Sequence, residues 1–542
     1  MPLVTEGGKL ESVFRTIKSL SPQQIILFTG TILLIRFIVR GIYRVYFHPL
    51  SRFPGPKLSA FTRIPHLYAT ATGTLHQYVA RLSTQYGDIV RISPDELSFV
   101  GPQSLRDIYG YGSKGGQGSQ PPKHFHRYGK IVGSHESLVT TQSNAEHGRV
   151  RRIFSPAFSD RALTQQEPLF LKYVNQLISV LKEDIEGTDN GSAQFDMVRM
   201  YSKCIANRVD ITCADSGPPS FSDFTTFDVM GDLTFGESLH MLDKAEFDPW
   251  VKMIFKSVKI STRINCIRNY YPLAAALLNA LLDKLFAKTE QESFSHSSSR
   301  VTKRLEKGRA SEGVDIWNLV LSQEEKGKEG LSRGHMDANA SLFMIAGTET
   351  TATLLSGLTY LLLKNPEKMT KLKEEIRSTF ASSDDISMEA LAKLPYVNAC
   401  IKEGLRRYPP VAVGLPRLTP ANGSTICGEF IPPGTTVAGH HIVIYSSPKA
   451  FKNPMAFVPE RWTGDPEYAE DERSALQPFS MGSRDCLGKN MAYHEMRLIL
   501  AKVMYHFDFE LSPESESWIA QEVYIIWEKR PLMVKLKLAN TL

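Results

Sequence analysis

Apolar residues run almost unbroken from Ile25 to Ile35 (IILFTGTILLI), and Phe37, Ile38 and Val39 carry the run past Arg36. Wound as a helix, Ile25 to Val39 spans about 22 Å, short of a hydrocarbon core of about 30 Å. Tyr43, Tyr46 and Phe47 supply an interfacial aromatic belt that lengthens it. Arg36, Arg40 and Arg44 recur every four residues, so they share one helical face and can snorkel to headgroups. No small-residue cleavage site follows, which argues against a removed signal peptide. The pattern predicts a single-pass anchor within residues 1–46, against a buried core helix or a helix lying on the membrane surface. Arg52, Lys57 and Arg63 follow it, so the positive-inside rule puts the rest of the chain on the cytoplasmic side.

Residues 47–58 (FHPLSRFPGPKL) carry Pro49, Pro54 and Pro56 and read as a semi-rigid linker that no helix crosses. The remainder, 59–542, is mainly helical with small sheets, an α+β class. Strands are expected at Ile89–Ile92 and Leu97–Val100 around the turn Ser93-Pro94-Asp95. Helical patterns recur at Glu167–Ile185, Phe224–Phe235, Val251–Val258 and Asp315–Gln323. Gly110–Gly118 reads as a long loop, and Ser293–Arg304, rich in serine and basic residues, as an exposed one. Lys203–Asp223 interrupts the helical pattern with polar residues and Pro218-Pro219; it is an atypical insertion, either a surface loop or an artefact of gene prediction. His335–Lys364 predicts one helix of about 45 Å, stopped by Asn365-Pro366. Its apolar middle breaks at Gly347-Thr348-Glu349-Thr350-Thr351. A carboxylate and hydroxyls in the buried middle of a helix mark a functional site or a satisfied polar cluster.

Composition narrows the classes. Of 542 residues, 42% are hydrophobic and 22% charged, which excludes a disordered or collagen-like chain and a multi-span transporter. A net charge of +6 is too weak to argue for nucleic acid. The six cysteines (Cys204, Cys213, Cys266, Cys400, Cys427, Cys486) contain no C-x-x-C pair and form no disulfide framework, which suits a reducing compartment.

The strongest chemical signal is Phe479-Ser480-Met481-Gly482-Ser483-Arg484-Asp485-Cys486-Leu487-Gly488. Glycines let backbone approach a flat ligand. N–H groups aimed at the sulfur, the start of a following helix pattern and Arg484 would each favour thiolate. This segment resembles the haem-binding signature FxxGxRxCxG of the cytochrome P450 superfamily at every fixed position. Glu403-Gly404-Leu405-Arg406 matches its ExxR helix, Pro459-Glu460-Arg461-Trp462 its PERF-type segment, and Ala346-Gly347-Thr348-Glu349-Thr350-Thr351 its AGx(D/E)T(T/S) motif. The likeness covers about residues 45–540 and is greatest to fungal secondary-metabolism members such as trichothecene hydroxylases.

The resemblance implies the cytochrome P450 fold and haem b. Cys486 would be the axial ligand to its iron. Phe479, Gly482 and Gly488 would shape the loop. Arg484, Arg417, Arg151 and His147 would face the propionates, the last two matching a WxxxR pattern in which histidine replaces tryptophan. Glu349 and Thr350 would orient the waters that deliver protons, and Glu403, Arg406 and Arg461 would form a structural charge network. Phe125, Tyr128, Phe343, Ile345, Ala346, Val411, Val413 and Leu415 would line an apolar substrate pocket. The implied reaction hydroxylates or epoxidises a hydrophobic terpenoid, polyketide or alkaloid with O2. Electrons would come from NADPH through a separate NADPH–cytochrome P450 reductase, with cytochrome b5 as a second candidate donor. The setting would be the endoplasmic reticulum membrane with the domain in the cytosol, leaving the sequons at Asn190, Asn339 and Asn422 bare. The rivals are an isomerase, dehydratase or oxidative coupling enzyme on the same fold, and a non-catalytic haem-binding protein.

Overall fold

The computed structural model of the chain describes residues 21–111, 120–124, 127–128, 135–202, 225–237, 259–260, 262–268, 270–271, 295, 298–308, 315–324 and 330–539. The expectations for Phe125, for most of Gly110–Gly118, for the insertion Lys203–Asp223 and for a helix at Val251–Val258 lie outside these residues.

The apolar N-terminal run forms helix α1 (Pro22–Tyr46). Ser21 and Gln24 close a capping box, with Gln24 N–H 3.3 Å from Ser21 Oγ and Ser21 N–H 2.9 Å from Gln24 Oε1. Pro22 takes the first turn, where its missing N–H costs nothing. The helix is longer than the apolar run alone: its 25 residues rise about 37 Å, enough to cross a hydrocarbon core. Its side chains are exposed apart from the half-buried Arg44 and Val45, and among its residues only Gly41 is buried. It fits a single membrane helix.

The proline-rich linker is packed down rather than free. Leu50 and Phe53 are buried, and Arg91 N–H donates to Pro54 O at 2.8 Å. Arg91 also reaches back to the end of α1, where its Nη1 donates to Arg44 O at 2.8 Å. Phe61 stands edge-on to Phe37 at 5.3 Å and lies in contact with Gly41.

Beyond the linker the described residues are mainly helical, with four small sheets among them. The longer helices are α2 (Leu75–Tyr86), α3 (Asn144–Phe154), α4 (Asp160–Glu186), α5 (Thr225–Phe235), α6 (Ile316–Glu324), α7 (Arg333–Leu363), α8 (Pro366–Thr379), α9 (Pro395–Arg407) and α10 (Lys489–His506). Helix α4 starts seven residues before the sequence pattern suggested. Ser159 caps it, Ala162 and Leu163 bury its first turns, and Pro168 is accommodated inside it. Strands β1 (Ile89–Ser93) and β2 (Glu96–Phe99) form the expected hairpin, and β2 runs parallel to β7 (Thr436–Gly439), with β4 (Arg417–Leu418) on the far edge. Strands β3 (Ser192–Asp196), β11 (Met533–Leu538) and β8 (Phe507–Leu511) form a second sheet, with β11 central. Two ribbons, β5–β6 (Ser424–Ile426, Glu429–Ile431) and β9–β10 (Val523–Tyr524, Ile526–Trp527), complete the set.

Helix α7 is the axis of the core. From Ala352 to Leu362 every residue is buried. Gly347 has a packing reason: a Cβ there would press on Met230 Sδ of α5 at 2.6 Å. Helices α5, α9 and α10 all pack on α7.

The expected loop at Ser293–Arg304 is corrected. Residues 298–306 are helical, and Arg304 is fully buried. Its guanidinium holds Asp315 through Nε at 2.7 Å and Nη2 at 3.0 Å. The serine-rich composition hid a charge partner eleven residues downstream.

Candidate active site

The loop before α10 is folded around its cysteine. Cys486 N–H donates to Phe479 O at 2.9 Å, and Gly488 is the N-cap of α10. Gly482 has φ +78°, and a Cβ there would strike the Tyr109 carbonyl, so only glycine fits. Phe479 sits beside Tyr493 at 5.2 Å. The Cys486 side chain is exposed even though protein encloses the loop, so its sulfur borders an interior opening. Burial pushes the thiol up, and Asp485 adds to that; the Gly488 N–H, Arg151 and Lys489 oppose without reversing it. The bare protein therefore holds a thiol, and a cation at the sulfur is what would make it a thiolate. Arg484 is not among the charges that favour that thiolate. It is buried and turned toward Thr141 O (2.7 Å), Gln142 O (2.8 Å) and Asn144 Oδ1 (2.8 and 3.0 Å).

A cationic cluster lies on the same side of the fold. Arg417 on β4 is buried, donates from Nη1 to Pro121 O at 3.3 Å and leaves Nε without a partner. Lys123 is buried and donates to Val139 O. Burial, then Arg484, then Arg417, pull its ammonium down to about 6. Burial and Arg417 lower Arg484 to about 10, with Glu136 and Tyr128 acting the other way. Burial, Arg484 and Lys123 hold His147 on α3 neutral, at about 3. Two buried guanidinium groups that repel each other, beside a lysine pushed toward its neutral form, favour an anion that would restore its charge. Arg151, also on α3, binds instead to the cysteine loop, with Nη1 2.6 Å from Asp485 O and Nη2 2.6 Å from Asp485 Oδ1.

On the long helix, Ala346 is exposed, and Ile345, Gly347 and Thr350 are partly exposed. This stretch of α7 faces an opening. The helix is unbroken here, but Thr348 and Thr350 hydroxyls each donate to the carbonyl four residues back at 2.7 Å, a contact that tends to bend helices. Glu349 is buried and ion-paired with Lys529, while Thr353 Oγ1 donates to its Oε1 at 3.3 Å. Phe343 is also buried, packed edge-on against Phe154 (4.9 Å) and Phe158 (5.5 Å). Val411 and Leu415 are partly exposed and Val413 buried, on the stretch leading to β4.

The charge network is complete. Arg406 grips Glu403 through Nε and Nη2, and donates to Tyr445 O (2.8 Å), Pro454 O (2.6 Å) and Ala456 O (2.8 Å). Arg461 Nε lies 3.2 Å from Glu403 Oε1 and its Nη1 pairs with Asp471. Trp462 Nε1 donates to Glu403 Oε2 at 2.9 Å. Burial alone would raise the Glu403 carboxyl; the Arg406 hydrogen bonds and the two guanidinium charges outweigh it and hold it low.

The cytochrome P450 family model matches residues 54–216 and 217–536. The chain belongs to the cytochrome P450 family. Among its relatives are cytochrome P450 monooxygenase FUM2 of Gibberella moniliformis, 43% identical over 92% of this chain and 100% of the relative, and efuB of Hormonema carpetanum, 42% identical over 93% and 94%. Averantin hydroxylase of Dothistroma septosporum is 37% identical over 93% of this chain and 90% of its own length. The likeness to fungal members expected from the motifs is borne out, and this P450 is an oxidoreductase of a haem-binding family.

The residues fit haem. A thiol opens onto an interior space beside a loop that needs Gly482, the buried guanidinium groups await an anion such as the propionates, and α7 presents Ala346 and the partly exposed Thr350 to an opening. Four participants escaped the motif reading: Lys123, Asp471, Lys529 and Glu495. Each is an ionisable residue outside any short pattern, and burial alone marks them.

Proposed function

We propose that this P450 is a membrane-anchored haem-thiolate monooxygenase that hydroxylates or epoxidises a hydrophobic small molecule of terpenoid, polyketide or alkaloid class. The observation that carries this reading is the Cys486 loop: an enclosed sulfur with the Gly488 N–H directed at it, at the start of α10. Cys486 would hold the haem iron, and haem bound there through a thiolate would supply the chemistry that activates oxygen. Lys123, Arg417 and Arg484 would neutralise the propionates of a bound haem, and neutral His147 could donate to one. Glu349 and Thr350 would order water and relay protons at the site. Ala346, Val411 and Leu415 present apolar surface to the substrate and exclude water from it. Arg151 clamps the cysteine loop through Asp485.

Electrons come from NADPH through a separate reductase. The support is a groove of about 480 Å³ lined by Lys393, Lys402, Lys489, Arg497, Trp462 and Tyr493. Lys489 is three residues beyond Cys486, and all four charges are positive, which suits an acidic electron donor. The basic residues that follow α1 support a cytosolic domain on the endoplasmic reticulum. One relative is named for hydroxylation, which favours that outcome over isomerisation or dehydration.

The test is the reduced carbon monoxide difference spectrum of the purified protein and of Cys486→Ser. The thiolate–CO band should be present in the parent and absent in the variant. A parent without the band, or a variant that keeps it, ends the assignment. NADPH and O2 consumption with reductase and candidate substrates separates an enzyme from a carrier.

A further inference from the structure

Glu349 is held from outside its own helix. Lys529 follows strand β10, 180 residues away, and both side chains are 6% exposed. The Lys529 ammonium also donates to Thr353 Oγ1 at 2.7 Å, and Thr353 donates in turn to Glu349 Oε1. Both donors therefore meet on Oε1, which leaves Oε2 without a donor among the described residues. The β9–β10 ribbon that carries Lys529 is itself pinned. Trp527 stacks on Tyr408 with centroids 4.3 Å apart and planes at 17°, and its Nε1 donates to Pro409 O at 2.8 Å. Glu528 N–H donates to Glu522 O at 2.9 Å across the turn.

We infer that Lys529 is a positioning residue for proton delivery: it fixes the Glu349 carboxylate by one oxygen, so that only the other is available to take up and release a proton. This rests on the proton-handling role proposed for Glu349. Two physical points support it. A carboxylate in a buried helix middle is stable as an anion only beside a cation. A single-oxygen grip also leaves the second oxygen the freedom that a shuttling group needs, whereas a bidentate arginine would take both. Lys529 touches neither substrate nor cofactor in this arrangement and acts through Glu349 alone.

The consequence is read in how oxygen leaves. Productive turnover joins the substrate, O2, two electrons and two protons into hydroxylated product and water. Oxygen released before its O–O bond breaks departs as hydrogen peroxide with the same two electrons and two protons. A mispositioned Glu349 shifts the balance toward peroxide.

The experiment compares the parent, Lys529→Met, Lys529→Arg, Glu349→Gln and the Lys529→Met/Glu349→Gln double variant, each loaded with haem. Two quantities are measured: hydrogen peroxide released per NADPH consumed, and the infrared C–O stretch of the reduced carbon monoxide complex, which senses charge beside the bound gas without turnover. Lys529→Met should at least double the peroxide yield and shift the C–O stretch, and Lys529→Arg should recover part of both. The double variant should equal Glu349→Gln in both readouts. If the Lys529→Met effect adds to that of Glu349→Gln, or if Lys529→Met matches the parent, Lys529 does not act through Glu349 and the inference is overturned. If Glu349→Gln itself changes neither readout, the proton role of Glu349 falls and the inference with it. Where Lys529→Met accumulates poorly, the double variant carries the test, because it strands no buried charge: equality with Glu349→Gln supports the inference and a difference overturns it.

Discussion

Arg406 and Glu403 meet in a two-pronged contact, with Nε 2.9 Å from Oε2 and Nη2 2.7 Å from Oε1, at a depth where neither side chain has exposed surface. Arg461 completes the triad. Replacing Arg406 with methionine leaves Glu403 with one guanidinium partner and three backbone carbonyls with no donor. The expected cost is about 3–5 kcal/mol. Urea unfolding of Arg406→Met should show that loss, together with poor haem incorporation in the carbon monoxide spectrum. A variant as stable as the parent would show that the network is dispensable.

Gly482 offers a sharper probe of the cysteine loop. Its positive φ and its contact with the Tyr109 carbonyl act against any side chain. Gly482→Ala should shift the loop, because the obstacle is backbone and cannot swing aside. Haem content per polypeptide should fall while the far-ultraviolet circular dichroism of the helical body stays close to that of the parent.

Lys123 should behave with opposite sign in the empty and loaded protein. Burial and two neighbouring guanidinium groups hold its ammonium down to about 6 from 10.5. The unfolded chain thus binds the proton more tightly, so the empty protein gains stability as pH rises from about 6 to 10.5. Lys123→Met removes that dependence and should raise the melting temperature of the haem-free protein near neutral pH. The same substitution should speed haem loss to a scavenger such as apomyoglobin, because a propionate partner is gone. Faster unfolding of both forms would instead mark Lys123 as purely structural.

Glu495 on α10 carries the clearest pH signature away from the cysteine. Burial raises its carboxyl from 4.5 to about 8, opposed only in part by a hydrogen bond with Thr351, and its Oε1 has no partner. The folded protein binds this proton more tightly than the unfolded chain does. Stability is therefore greatest below about 4.5 from this group, declines as pH rises, and has lost the full contribution above about 8. Glu495→Gln should flatten that decline, with melting curves at pH 6 and pH 9 lying closer together than those of the parent.

Much of this was legible because it is local. The β1–β2 hairpin follows from alternation around Ser93-Pro94-Asp95, and the strands begin and end within a residue of that reading. Helix α7 follows from its apolar period and the Asn365-Pro366 stop, and Glu403, Arg406 and Arg461 from their motifs. What escaped was set by distance along the chain. Lys529 meets Glu349 across 180 residues, and Asp471 closes the Arg461 pair from a segment with no pattern of its own. Ser293–Arg304 reads as an exposed loop because serine and basic residues dominate it, yet residues 298–306 are helical and Arg304 is buried by a bidentate partner that composition cannot reveal. The reading of Arg484 erred for a related reason. Its place two residues before Cys486 suggested a charge on the sulfur, but the carbonyls of residues 141 and 142 claim it.

At the seam between stalk and globule, Arg91 grips the Arg44 carbonyl and Phe61 wedges against Gly41, so the end of α1 is fastened to the domain at two points. With that helix in a bilayer, a domain tethered at this seam would take its orientation from the anchor rather than trail from a loose leash.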